Sequence, residues 1–174
     1  MATVDSFRFL GTVISKDLKW ELNISSLTKK AQQRMYFLRQ LRKFHMTQRM
    51  MVQFYTAIIE SILTTSIIIW FPYSTVKDRA KLQRVIRSAE RVIGCNLPSL
   101  EDLHDSRALK RASKIMADPA HPGNSLIDLL PSGRRLRLPR AMKDRHKFSF
   151  FPYVTKLLNK AGIHPPAPHS TSAL

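Results

Sequence analysis

Apolar positions along the chain fall into segments of different period. Residues 6–14, Ser-Phe-Arg-Phe-Leu-Gly-Thr-Val-Ile, alternate in part between apolar and polar, with Gly11 interrupting. That pattern predicts a short strand or hairpin. Residues 17–20 then lead into a helix over about 23–44. In it Ile24, Leu27, Ala31, Met35, Leu38 and Leu41 recur at spacings of three and four, forming one apolar stripe. Lys29, Gln33, Tyr36, Gln40 and Lys43 take the opposite side, and Lys30 and Arg39 flank the stripe.

A second helix is predicted over about 47–70, with Thr47 as N-cap and Pro72 after its end. Its second half, with Ile58, Ile59, Ile62, Leu63, Ile67, Ile68 and Ile69, is apolar nearly all round, which suits the centre of a bundle. The apolar run 57–71 is 15 residues long and contains Glu60. A membrane span needs roughly 20 apolar residues, so a core helix is the better reading. The third helix, 75–93, has Gly94 as C-cap. Leu82, Val85, Ile86, Ala89, Val92 and Ile93 make one face, and Lys77, Arg84, Arg87 and Arg91 the other.

A fourth helix starts after Pro98, where Ser99 and Asp102 form a loose capping box. Ala108, Leu109, Ala112, Ile115 and Met116 are its apolar side, and Arg107, Lys110, Arg111 and Lys114 its basic side. Beyond Asp118 lie eight of the ten prolines, which disfavours long helices. One short helix fits residues 153–160. The expected organisation is mainly α: a strand or hairpin remnant in 1–22, a three- to four-helix bundle in 23–118, an irregular basic extension in 119–163, and a disordered Pro/Ser/Thr-rich tail in 164–174. No internal repeat is present.

Charge changes the picture from fold to partner. The 174 residues hold 29 Lys+Arg against 12 Asp+Glu, a formal net charge of +17. Such a field draws polyanions, nucleic acid first and an anionic membrane surface next. Seven Lys/Arg and no acid lie between Leu22 and Ile59. Seven more, with one acid, lie in 134–147, Arg-Arg-Leu-Arg-Leu-Pro-Arg-Ala-Met-Lys-Asp-Arg-His-Lys. A single run of this kind reads as a solvated face. Several of them adding to one large charge point to phosphate contacts, for which the arginine fork is well suited.

The candidate nucleic-acid-binding residues are Lys29, Lys30, Tyr36, Lys43, Lys77, Arg84, Arg87, Arg91, Arg134, Arg135, Arg137 and Arg140. Aromatic residues such as Phe37, Phe44, Tyr55, Trp70, Phe148, Phe150, Phe151 and Tyr153 are interleaved with the basic segments. At helical spacing most read as core. Tyr36, on the polar side, is the one placed to stack on a base. The expected mode is phosphate-dominated and sequence-tolerant. The expected partner is the backbone of an RNA or DNA duplex rather than a membrane or small molecule; the choice between RNA, DNA and hybrid, and the oligomeric state, stay open.

Catalytic signatures are missing. His45, His104, His121, His146, His164 and His169 are scattered, form no HExxH or HxD set, and read as surface or loop residues. Neither GxGxxG nor GxxxxGK[ST] occurs among five glycines. Glu101 and Asp102 suit the start of a helix better than acid–base work. Cys95, the sole cysteine, reads as a small buried residue; it permits no intramolecular disulfide and no thiolate zinc cluster. The expectation is therefore no enzyme, no metal and no cofactor. The start, MATVDSFRFLG, has no basic segment followed by an apolar run, so an intracellular (nuclear or cytoplasmic) rather than secreted location is expected.

Phe7-Arg8-Phe9-Leu10-Gly11 followed by Ile14-Ser15-Lys16-Asp17-Leu18-Lys19-Trp20 resembles the segment just after the catalytic palm of LINE-type (non-LTR) retrotransposon reverse transcriptases. Lys29-Lys30-Ala31, Leu38-Arg39-Gln40-Leu41, Phe54-Tyr55, Ile59-Glu60-Ser61-Ile62-Leu63, Trp70, the stretch from Leu82 to Ala89 and Ile93-Gly94 follow in that family's order. The resemblance spans about residues 6–160 and rests on order and spacing rather than on any one piece. It implies a helical thumb that grips template–primer duplex, without the fingers or the YxDD carboxylates of the palm, which two-metal polymerisation requires. The same segment also resembles the amino-terminal domain of the AlkB-homologue tRNA-modifying protein. That parent family joins an iron/2-oxoglutarate dioxygenase to a methyltransferase, and neither the HxD…H triad nor a glycine-rich methyl-donor loop stands in this sequence. The remaining alternative is an interaction module, or an unselected reading frame with no native activity.

Overall fold

The computed structural model describes residues 5–140 and 144–163. The predicted amino-terminal strand is a hairpin: β1 (Ser6–Phe9) pairs antiparallel with β2 (Thr12–Ser15), with Phe7 opposite Ile14 and Arg8 opposite Val13. Leu10 and Gly11 form the two-residue turn, both at positive φ (45° and 84°). This is the primed turn that matches strand twist, and it favours Asn-Gly. Gly11 meets that demand, whereas Leu10 holds a left-handed conformation with its side chain exposed. Leu10→Asn is expected to raise stability by about 1 kcal/mol, the usual cost of a left-handed L-residue. A melting temperature that does not rise would count against strain at this turn.

After β2, the Ser15 hydroxyl donates to Asp17 Oδ1 at 2.6 Å and the Lys19 N–H to the same oxygen at 3.0 Å. These bonds, the serine's first, hold the Asp17 carboxyl below its ordinary pKa. The Val13 N–H donates to Asn23 Oδ1 at 3.0 Å, which ties the hairpin to α1 (Glu21–Lys43). The α1 stripe is buried as the spacing predicts, at Ile24, Leu27, Ala31, Met35 and Leu38.

The single helix expected over 47–70 is broken twice. Thr47 caps α2 (Gln48–Phe54), its hydroxyl accepting from the Met50 N–H. A π-helical turn then occupies Tyr55–Glu60, before α3 (Ser61–Leu63). The chain bends at Ser66, which is left-handed (φ 52°), into α4 (Ile67–Trp70) and a 3-10 turn, Phe71–Tyr73. Tertiary bonds pin that bend. Thr12 Oγ1 lies 2.9 Å from Ser66 Oγ, and the Trp70 indole N–H donates to the Thr65 carbonyl at 2.7 Å. The bend keeps Tyr55, Ile59, Leu63, Ile67 and Trp70 all buried. Burial is one-sided, however: Ile58 and Ile69 are exposed, against the expected all-round burial. The Tyr55 hydroxyl is buried with no hydrogen-bond partner among the described residues. Burial first, then Glu60 and Glu90, hold its pKa far above the ordinary value, so the phenol stays neutral. Among the described residues no single helix is long and apolar enough to cross a membrane; 48–63 and 67–73 meet the length and composition only together, across a 44° bend.

In α5 (Val76–Ile93) the Thr75 hydroxyl donates to Asp78 Oδ2 at 2.7 Å and accepts from the Asp78 N–H at 3.1 Å. Gly94 ends the helix at φ 82°, its N–H bonded to the Glu90 carbonyl. Leu82, Val85, Ile86, Ala89 and Ile93 pack against the α1 stripe and the 55–71 segment in one core. The start of α6 (Leu100–Ala117) carries the anticipated capping box, with Ser99 and Asp102 exchanging bonds of 2.6 and 3.1 Å. Two local readings are corrected. His104 is not a surface residue but lies 1% exposed, its ring 5.0 Å from that of Phe71, because the first turn of α6 turns inward beside Leu100. Cys95 is half-buried rather than buried, just past the α5 C-cap, and packs against the edge of the core.

Composition shifts after Asp118, whereas the contacts divide the chain into two units between His104 and Asp105. The second unit has its own core. Ala108, Ala112 and Ile115 of α6 pack with Ile127, Leu136 and, from α8 (Phe150–Ala161), Val154 and Leu158. The stretch expected to be irregular is thus partly ordered: a 3-10 turn at Asn124–Leu126, an isolated bridge between Leu129 and Leu136, a short α7 (Asp144–Lys147), and α8. Pro152 sits in the first turn of α8, where no amide donor is needed, so the helix starts ahead of the predicted residue 153. Residues 164–174, with His164 and His169, lie outside the described residues.

Candidate nucleic-acid interface

The chemistry of the first unit sits on the outward sides of α1 and α5. Once α5 buries its apolar face, Lys77, Arg84, Arg87 and Arg91 are left exposed. Lys77 and Arg91 stand fourteen residues apart, so the row runs along about 21 Å of helix at 1.5 Å per residue. On α1 the residues Lys29, Tyr36 and Lys43 recur every seven positions and are all exposed, while Lys30 is half-buried. Tyr36 is 56% exposed and meets Phe37 edge to face at 5.5 Å, with the Arg34 guanidinium 5.9 Å from the Phe37 ring centre.

Packing α1 along α5 brings Arg84, alone of the two rows, to the helix–helix seam. A groove of about 260 Å³ lies between the two helices, lined by Gln32, Met35, Arg39, Arg84, Val85 and Ser88, and Lys29, Tyr36 and Lys43 stand outside it. It sets Arg39 and Arg84 on a common concave surface, although they are 45 positions apart in sequence. Arg39 stood only as a flanking residue in the sequence pattern. Its pairing with Arg84 depends on the helix–helix register, which periodicity within one helix does not contain.

The arginines of 134–140 belong to the second unit. Arg134, Arg135, Arg137 and Arg140 are all exposed. Backbone bonds shape this segment: the Leu130 N–H donates to the Arg135 carbonyl at 2.8 Å and the Arg137 N–H to the Asp128 carbonyl at 2.7 Å. Leu136 points inward, 1% exposed, and Asn159 brackets its backbone at 2.8 and 3.1 Å. Alternation about Leu136 leaves Arg135 and Arg137 outward.

Twelve candidate cations and aromatics were readable from sequence, and among the described residues none of the eleven cations is ion-paired. Salt bridges among the described residues include Lys19–Asp17 at 3.5 Å and Lys81–Asp78 at 3.4 Å. The described residues contain no group of three or more His, Cys, Asp or Glu placed to hold a metal ion. What this arrangement can do is neutralise phosphates: exposed guanidinium and ammonium groups, those of α1 and α5 on long helices, outnumber the neighbouring carboxylates Glu90 and Glu101.

Residues 20–61 match the protein family described as alkylated DNA repair protein alkB homolog 8, N-terminal. The matched span covers α1, α2 and the π-helical turn, and so contains the α1 side of the groove. No curated protein and no solved structure matches the chain.

Proposed function

We propose that this chain is a non-catalytic helical module that binds nucleic acid through phosphate contacts, of the kind represented by the amino-terminal domain of an AlkB homologue. The observation that carries this reading is the α1–α5 groove, with Arg39 and Arg84 on its walls and a further row of exposed cations along α5. The family match supports it from a second direction, since the matched domain is that of an alkylated DNA repair protein and its span supplies one wall. Iron/2-oxoglutarate and methyl-transfer chemistry would belong to other parts of such a protein, because neither signature stands in these 174 residues.

A finer reading is the thumb of a LINE-type reverse transcriptase. It is favoured by the FLG element, which forms a tight hairpin turn at Leu10-Gly11 immediately before the helices. Both readings call for a basic helical surface on a duplex backbone.

Salt titration is the test. If about six phosphates are neutralised, affinity for a primer–template duplex falls roughly a thousand-fold between about 50 and 200 mM salt. An affinity that does not change with salt overturns the proposal.

A further inference from the structure

A second concavity lies along α5 and shares Arg84 and Arg87 with the phosphate-binding row, while the rest of its lining has no part in that reading. One row of α5, Val76, Arg79, Ala80, Gln83, Arg84 and Arg87, follows a spacing of three and four and faces a cleft of about 440 Å³. Phe71, Ser99, Leu100 and Glu101 complete its lining. Its volume falls within the range of about 300–1,000 Å³ usual for small-ligand clefts.

Among the lining residues, Arg79 is held by several contacts. Its guanidinium carbon lies 4.5 Å from the centre of the Phe71 ring. Its Nε donates to Ser74 Oγ at 3.0 Å and its Nη2 to the Phe71 carbonyl at 3.3 Å. Ser74 is itself fixed, its hydroxyl donating to the same carbonyl at 2.6 Å. The guanidinium is thus held over the Phe71 ring and tethered by two hydrogen bonds. Arg79 also lines the cleft, and unstacked nucleobases rest on guanidinium planes. Ala80, one residue on, has no side chain long enough to fill the space.

The polar groups lining the cleft have two characters. Arg84 and Arg87, further along α5, suit a phosphate. The Gln83 amide and the Glu101 carboxylate suit the edge of a base, the carboxylate accepting from a ring or exocyclic N–H. A bare anion would gain nothing from Glu101, whereas a nucleotide uses both characters. A paired base within a duplex shows no free face, so the ligand is an unpaired one.

We propose that this cleft receives a single unpaired nucleotide of a bound strand, its base stacked on Arg79, its edge at Gln83 and Glu101, and its phosphate at Arg84 and Arg87. The proposal rests on the nucleic-acid reading above and adds a base-binding position to it. The test compares binding of the full chain to a labelled duplex that is blunt, carries one unpaired terminal nucleotide, or carries one abasic terminal unit. The unpaired nucleotide should tighten binding about tenfold over blunt, in line with the worth of one stacked base, and the abasic unit should not. Ala80→Leu fills the cleft without altering charge and should bring that ratio to one. Equal affinity for base-bearing and abasic ends, or a tenfold ratio that survives Ala80→Leu, overturns the nucleotide site while leaving phosphate binding standing. Absence of salt-dependent binding to all three duplexes overturns the parent reading and this site with it.

Discussion

Replacing Arg84, Arg87 and Arg91 together with glutamate is expected to lower duplex affinity roughly 500-fold at about 0.1 M salt, since each lost phosphate contact removes about 0.9 of a power in the salt dependence. The slope of log affinity against log salt should fall by about three in the same experiment. All three side chains are exposed and contribute nothing to the buried face of α5, so circular dichroism should report an unchanged helix content. Lysine at the same positions should keep most of the slope, because the charge remains, while losing the fork geometry that arginine offers to phosphate oxygens. An unchanged affinity in the glutamate variant would remove α5 as the contact face. Arg134, Arg135, Arg137 and Arg140 would then become the leading surface, and glutamate there the next substitution to make.

The second large effect concerns stability. Trp70→Ala is expected to cost about 3–5 kcal/mol, the range for deleting a buried large aromatic side chain. Trp70 is completely buried, its ring meets Phe71 edge to face at 5.9 Å, and its indole N–H closes the bend onto the Thr65 carbonyl. Domains of this size have only about 5–15 kcal/mol in total, so the variant should be near unfolding at ambient temperature. Trp70→Phe keeps most of the packing and leaves the Thr65 carbonyl without its donor, an expected loss of about 1–3 kcal/mol. Thermal melts of the three proteins should therefore rank with the tryptophan highest and alanine lowest. A phenylalanine variant as unstable as alanine would assign the bend to the hydrogen bond rather than to packing.

Periodicity reached the parts of this fold that local forces govern. The α1 and α5 stripes, the Thr47 cap, the Ser99–Asp102 box and the Gly94 terminus all follow from residues within a turn or two of each other. The break at Ser66 did not, because nothing near Ile67-Ile68-Ile69 opposes a helix. It is imposed by Thr12, 54 positions away, and by the closure from Trp70. The second core was hidden for a related reason. Ala108, Leu136 and Val154 are separated by proline-rich chain, and no single window contains two of the segments that supply it. The candidate interface divides the same way. Exposed arginines on α5 could be read from the helix alone, whereas the Arg39–Arg84 groove and the placing of Arg79 over Phe71 required tertiary neighbours.

The π-helical turn at Tyr55–Glu60 also bears on ancestry. Hydrogen bonding from i to i+5 in place of i+4 lets a helix absorb one additional residue while its flanking turns keep their facing. A chain one residue shorter between Gln53 and Ser61 could present the same buried row as an unbroken α-helix. Any relative aligned through this stretch should accordingly place a single-residue gap there in preference to elsewhere. The stretch that matches the AlkB-homologue domain, residues 20–61, contains the whole turn. Insertions and deletions among chains similar over this stretch should therefore cluster at this one loosened coil and leave the hairpin-proximal helix intact.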